Sequence, residues 1–128
     1  MFDNEIKELR HNTQKANEFF AQKLAYTLGP AELKAMLDEN KVKLIDVRRA
    51  EDYSEAHIPG AISIPKDELR DKLSMLSKED VHVVSCYNQQ CHLAASAAYI
   101  LTQNGYPTME QEGGFKVWSE DFNYPTEK

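Results

Sequence analysis

The sequence predicts an α/β domain: a mainly parallel sheet flanked by helices on both faces, with an extra helix at the amino terminus. Three observations point there. The runs Val42 to Val47 and Val81 to Ser85 are dense in branched apolar residues, as strands buried on both faces are. Segments of helical period alternate with them, which is the pattern of a parallel sheet with helical crossovers. A chain of 128 residues, 41% hydrophobic and 28% charged, suits one water-soluble core that folds without staples.

Along the chain, Ile6, Leu9, Ala16, Phe19, Phe20 and Leu24 recur at helical spacing within a stretch free of Gly and Pro, so Asp3 to Leu24 reads as one leading helix. Its apolar stripe thins near Thr13, which marks it as an arm that packs on the domain or on a second copy. Residues 1–25 are accordingly read as an extension and 26–128 as the domain. Tyr26 to Leu28 reads as a short strand. Gly29-Pro30 opens a helix, because proline at the first helical position gives up no hydrogen bond, and Asn40 closes it.

Val42 to Val47 is the next strand, with Asp46 near its carboxyl end. His57 to Ala61 forms a turn set by Pro59 and Gly60. Ile62 and Ile64 lead into Pro65, Asp67 to Leu76 is weakly helical with a break near Ser74, and Val81 to Ser85 is a buried strand. Leu93, Ala94, Ala97, Ala98 and Leu101 define a helix over Cys91 to Gln103, stopped by Asn104-Gly105. Tyr106 to Met109 reads as an edge strand, and Gly113-Gly114 leads into a last helical turn carrying Phe115 and Trp118.

Charge narrows the partners. A net charge of −6 without a basic stripe argues against nucleic acid. The charged opening MFDNEIKELRHNTQ lacks the apolar core of a secretion signal, and no run approaches a membrane span. Two cysteines in such a chain predict reduced thiols in the cytoplasm and chemistry before a structural bridge.

Cys86 ends a hydrophobic strand just before a helix, and so lies at the carboxyl edge of a parallel sheet, where α/β folds bind ligands. Backbone N–H groups from Tyr87 through His92 converge on that turn, because the first turn of a helix lacks internal partners for its donors. Such donors favour an anion. They are expected to draw the Cys86 thiol below its ordinary value of about 8.5 and to stabilise a persulfide or an oxyanion. A buried apolar role for Cys86 is the competing reading.

An ordered series of motifs resembles the rhodanese-like domain family: Leu44-Ile45-Asp46-Val47-Arg48, Glu51 and Tyr53, His57-Ile58-Pro59-Gly60-Ala61, Val83-Val84-Ser85-Cys86, Gly105-Tyr106, and Gly113-Gly114-Phe115 before Trp118. The resemblance implies a sheet of about five strands flanked by helices, with Cys86 as the sulfur-carrying cysteine. It implies a sulfurtransferase that needs no cofactor: thiosulfate, a polysulfide or a persulfide gives its outer sulfur to Cys86, and a thiol or cyanide takes it away. The binding loop is then Tyr87, Asn88, Gln89, Gln90, Cys91 and His92. Its short form argues, by the same resemblance, against phosphatase chemistry.

From Tyr87 to Cys91 this loop departs from many family members in having neither a cationic residue nor a glycine, which shifts the expected donor toward a less charged persulfide or polysulfide. Cys91 stands where an arginine closes the loop. The C-x4-C spacing resembles a subset with two loop cysteines and makes Cys91 a candidate resolving cysteine, with space-filling as its alternative. The expected partners are a small sulfur-containing substrate and an acceptor thiol protein or reductant. A noncatalytic binding or regulatory module and a thiol–disulfide protein using Cys86 with Cys91 both stay open.

The remaining polar residues read more plainly. Cys86, Cys91, His82 and His92 lack the second paired cluster of a zinc site, so no metal is expected. His92 reads as a solvated surface histidine, His57 as structural, His82 as packed on a strand, and His11 has no identified partner. Asp46 and Arg48 take supporting roles, with Arg48 expected to pair with Glu51 or cap backbone and Asp46 to order the strand end. Trp118 reads as core.

Overall fold

The computed structural model describes residues 2–128. Two helices open the chain, α1 (Phe2–His11) and α2 (Thr13–Tyr26), followed by β1 (Thr27–Leu28), α3 (Pro30–Asp38), β2 (Lys43–Asp46) and α4 (Ala50–Glu55). Then come β3 (Ile62–Ser63), a 3-10 helix (Lys66–Met75), β4 (His82–Ser85), α5 (Leu93–Gln103), β5 (Thr108–Gln111), α6 (Gly114–Lys116) and a π-helical turn (Val117–Asp121).

All strands are parallel and lie in the order β1-β5-β4-β2-β3. Alternation of side chains across the strands sends Leu44 and Val83 to one face, and Ile45 and Val84 to the other. The first face packs with Leu33 of α3, Ile58 and Trp118. The second packs with Ala94, Ala97 and Leu101 of α5 and with Leu69 of the 3-10 helix. Helices cover both faces, as the two strand runs predict.

Four local expectations are corrected. The leading helix is two helices, because Asn12 turns its side chain back to accept the Lys15 N–H at 3.1 Å and caps a new helix. The 3-10 helix runs through Ser74 unbroken. α5 begins at Leu93, two residues later than expected, with His92 as its cap. β5 is not an edge strand: it lies between β1 and β4. Pro107 precedes the strand, and its carbonyl accepts the His82 N–H at 2.9 Å, so no ladder donor is lost in this inner strand.

Helix α4 and strand β3 were not read from the sequence at all. The six residues of α4 are too few to display a period, although Glu51 and Asp52 give its first turn the acidic residues that suit a helix amino terminus. Among the described residues no helix is long and apolar enough to cross a membrane.

Candidate active site

Register places Cys86 just beyond the end of β4, the central strand of the sheet, level with the ends of β2 and β5. A parallel sheet leaves its loops at this carboxyl edge free to gather, and three of them do. The first is the Cys86 to His92 loop. Inside it the Asn88 carbonyl accepts the Cys91 N–H at 3.2 Å, and the Asn88 side chain accepts the Gln90 N–H at 3.1 Å.

The second loop is Gly113-Gly114. Phe115 N–H donates to the Cys86 carbonyl at 2.8 Å and Lys116 N–H to the Tyr87 carbonyl at 3.0 Å, so α6 is fastened to the backbone of the cysteine. Only glycine fits at Gly114. Its φ is +62°, and a Cβ there would lie 2.7 Å from backbone atoms of Cys86, Tyr87 and Asn88. Gln111, buried at the end of β5, accepts from the Ser85 hydroxyl and donates to the Gly114 carbonyl at 2.9 Å, tying β4, β5 and this turn together.

The third loop follows β2. Arg48 forms a bidentate pair with Asp46, with Nη2 to Oδ2 at 2.8 Å and Nε to both oxygens at 3.1 Å, and Nη2 also donates to the Ala56 carbonyl at 2.7 Å. Both side chains are buried. The expected partner Glu51 instead pairs with Arg49 on the surface. The Arg48 guanidinium lies 4.3 Å from the Phe115 ring centre and 5.7 Å from that of Tyr87, so it supports the loop from beneath. Tyr87 in turn donates its hydroxyl to Asp52 and accepts the Arg49 N–H at 3.3 Å.

Sequence reasoning missed Ser85, Gln111 and Asp52. Gln111 immediately precedes Glu112-Gly113-Gly114, the one local hint that its side chain turns into the site. Asp52 carries no signal, because it meets Tyr87 only through the fold. His92 is exposed, His57 stacks on Tyr53 at 3.7 Å and bonds Glu127, and His82 is buried against Tyr106, so all three keep the roles read from sequence.

The acidity of Cys86 departs from expectation. The residue is 3% exposed, and its sulfur faces carbonyl oxygens of Cys91 at 3.6 Å and Asn88 at 4.0 Å, acceptors that favour the protonated thiol. Burial pushes the Cys86 thiol up to about 11, and the neighbouring Cys91 thiol pushes the same way. Backbone groups of Ala94 and Tyr87 pull in the other direction and are outweighed. The converging amides were overestimated because Gln90 and Cys91 spend theirs on Asn88. For Cys91, burial also pushes up, but the neighbouring Cys86 thiol and the backbone of Leu93 and Tyr87 prevail and hold it below the ordinary thiol value. Neither cysteine is in a disulfide.

The rhodanese-like domain model matches residues 29–121, a span that carries strands β2 to β5 and the three loops. The chain belongs to the rhodanese-like domain family. Its relatives include an HTH-type transcriptional regulator of Mycobacterium tuberculosis, 36% identical over 88 residues, a match covering 69% of this chain and 39% of that protein. The chain thus spans well under half of that regulator. A thiosulfate sulfurtransferase of Pseudomonas savastanoi is 30% identical over 98 residues, covering 77% of this rhodanese-like chain and 90% of the relative. A solved protein of Bacillus halodurans superposes with a TM-score of 0.85 at 34% identity, covering 91% of this chain and 86% of its own.

Proposed function

We propose that this rhodanese-like chain is a sulfurtransferase that carries sulfane sulfur as a persulfide on Cys86. Thiosulfate, a polysulfide or a persulfide would supply the sulfur, and a thiol or cyanide would receive it. The observation that carries the reading is the seat of Cys86, at the carboxyl edge of β4 with its backbone fastened by α6 and its thiol facing the Cys91 main-chain carbonyl at 3.6 Å.

Cys91, in the same loop and held below the ordinary thiol value, is the proposed proton acceptor. In the loading step the Cys91 thiolate takes the Cys86 proton while the Cys86 sulfur attacks the outer sulfur of the donor. The donor's sulfur–sulfur bond breaks, and sulfite or a thiolate leaves with the electron pair. In the unloading step an acceptor thiolate attacks the outer sulfur, and Cys86 departs as a thiolate that recovers its proton from Cys91. Burial disfavours a free thiolate on Cys86, so a partner that accepts its proton during attack lowers the barrier. We place the reaction in the cytoplasm, where both thiols stay reduced.

Two free thiols in one loop, each shifting the other's acidity, favour a second reading, a thiol–disulfide role. Here Cys91 attacks the inner sulfur of the Cys86 persulfide, hydrosulfide leaves, and the resulting disulfide needs a two-electron thiol reductant to reopen. Intact mass after incubation with thiosulfate or polysulfide separates the readings. One added sulfur atom, lost in Cys86→Ser and kept in Cys91→Ser, supports the carrier. Loss of two hydrogens that requires both cysteines supports the redox protein. No change with any donor points to a binding module instead.

A further inference from the structure

The stretch Tyr87 to Cys91 holds no cation, yet three basic side chains line one cleft next to it. Lys66 and Arg70 on the 3-10 helix, and His92 at the start of α5, line a cleft of about 460 Å³ together with Ala95, Ser96, Tyr99 and Ile100. No carboxylate lines it. Lys66 has only the exposed Asp67 as a partner, at 3.6 Å, while Arg70 has no ion pair among the described residues. Glu110 lies within electrostatic reach of His92.

The fold fixes where this cleft opens. Lys66 follows β3, and its N–H donates to the Val47 carbonyl at 3.2 Å, which holds it at the carboxyl edge of the sheet. His92 directly follows Cys91. From that end the cleft runs along the groove between α5 and the 3-10 helix as far as Tyr99. His92 to Tyr99 spans roughly 10 Å of helix at 1.5 Å per residue. The cleft on the other side of the loop has Lys116 offset by Glu112 and Asp121, so it offers an anion no comparable site.

We propose that the Lys66–Arg70–His92 cleft binds the remote anionic end of a low-molecular-weight persulfide, such as one bearing carboxylates several atoms from its sulfane sulfur. This rests on the sulfur-carrier reading and names its substrate class. Thiosulfate carries its charge one bond from the transferred sulfur, beside a stretch with no cation. A longer thiol persulfide puts its sulfur at Cys86 and its carboxylates along the cleft, where Lys66 and Arg70 supply the attraction that this stretch lacks.

The test compares glutathione persulfide with the persulfide of mercaptoethanol, whose organic end carries no charge, each as kcat/KM for loading Cys86. The double variant Lys66→Gln/Arg70→Gln lowers the preference for glutathione persulfide about tenfold, and Lys66→Glu/Arg70→Glu lowers it further. A preference that stays within about twofold of the parent in both variants overturns the proposal. Both side chains lie at the surface, and circular dichroism checks that the variants fold. Binding of unreactive S-methylglutathione, followed by chemical shifts of His92, Ser96 and Tyr99, needs no sulfur transfer. If no donor loads Cys86 but this ligand shifts those residues in the parent and not in the variants, the carrier reading fails and the cleft stands. If the ligand shifts none of them in the parent, the cleft is rejected.

Discussion

The Cys86 sulfur faces the main-chain carbonyl of Cys91 at 3.6 Å, and the two thiols part in acidity: burial first, then the neighbouring thiol, raises Cys86 to about 11, while Cys91 is held below its ordinary value. Exposure and acidity therefore favour Cys91 as the thiol that reacts first with solvent, although Cys86 occupies the strand end. Thiolates, not thiols, alkylate. Iodoacetamide at pH 8 is expected to label Cys91 ahead of Cys86, read by peptide mass mapping. Labelling of Cys86 first would show that its thiol is not held protonated.

The raised Cys86 value also makes stability depend on pH. In the unfolded chain this thiol ionises near its ordinary value, whereas in the fold it resists ionisation until about pH 11. Stabilisation from the neutral buried thiol is therefore complete below the unfolded value and is lost as pH rises toward 11. The parent should lose thermal stability relative to Cys86→Ser between about pH 9 and 11. Parallel melting curves of the two proteins would argue against a raised value.

The Asp46–Arg48 pair is buried and bidentate at the end of β2. Replacing one partner strands the other charge away from water, so Asp46→Ala is expected to cost about 3–5 kcal/mol in urea unfolding. Asp46→Ala/Arg48→Met should recover part of that loss. A single variant within about 1 kcal/mol of the parent would mean that the pair contributes no more than a surface bridge does.

Two glycines at positive φ separate strain from collision. Gly60 has φ +87° and open space where a Cβ would go, while at Gly114 a Cβ meets the Cys86 loop at 2.7 Å. Gly60→Ala should cost about 1–2 kcal/mol of stability through backbone strain alone. Gly114→Ala should also displace the loop and slow persulfide formation by about tenfold or more. Equal loading rates in the two variants would break the link between Gly114 and loop position.

Glu127 fastens the carboxyl-terminal segment across His57 in an antiparallel bridge. Its carboxylate accepts the Gly60 N–H and bonds His57 Nε2, both at 3.1 Å, and these contacts hold it below the usual glutamate value, the Gly60 bond first. A depressed carboxylate stabilises above its unfolded value and loses that contribution as pH falls through its folded value. Amide exchange at Gly60 should therefore accelerate in acid relative to Glu127→Gln. Equal acceleration in the variant would remove Glu127 as the cause.

How much of this was legible depended on whether a residue acts through its neighbours in sequence. The runs around Ile45 and Val84 announced buried parallel strands, and the order of motifs ending in Gly113-Gly114-Phe115 announced the family. Two-residue strands such as β3 and a single short helix such as α4 carry too little pattern to be seen. Ser85, Gln111 and Asp52 became site residues only because parallel crossovers brought strand ends distant in sequence to one edge.

The sequence by itself determined the fold class, the place of Cys86 at a strand end and the absence of a cation from Tyr87 to Cys91, because strand burial, turn chemistry and loop composition are local properties. Tertiary structure decided the acidity of that cysteine, the central position of β5 and the gathering of Lys66, Arg70 and His92. Each of those depends on distances between segments far apart in the chain. Burial, and acceptors facing the Cys86 sulfur, reversed a shift that the helix terminus alone predicts.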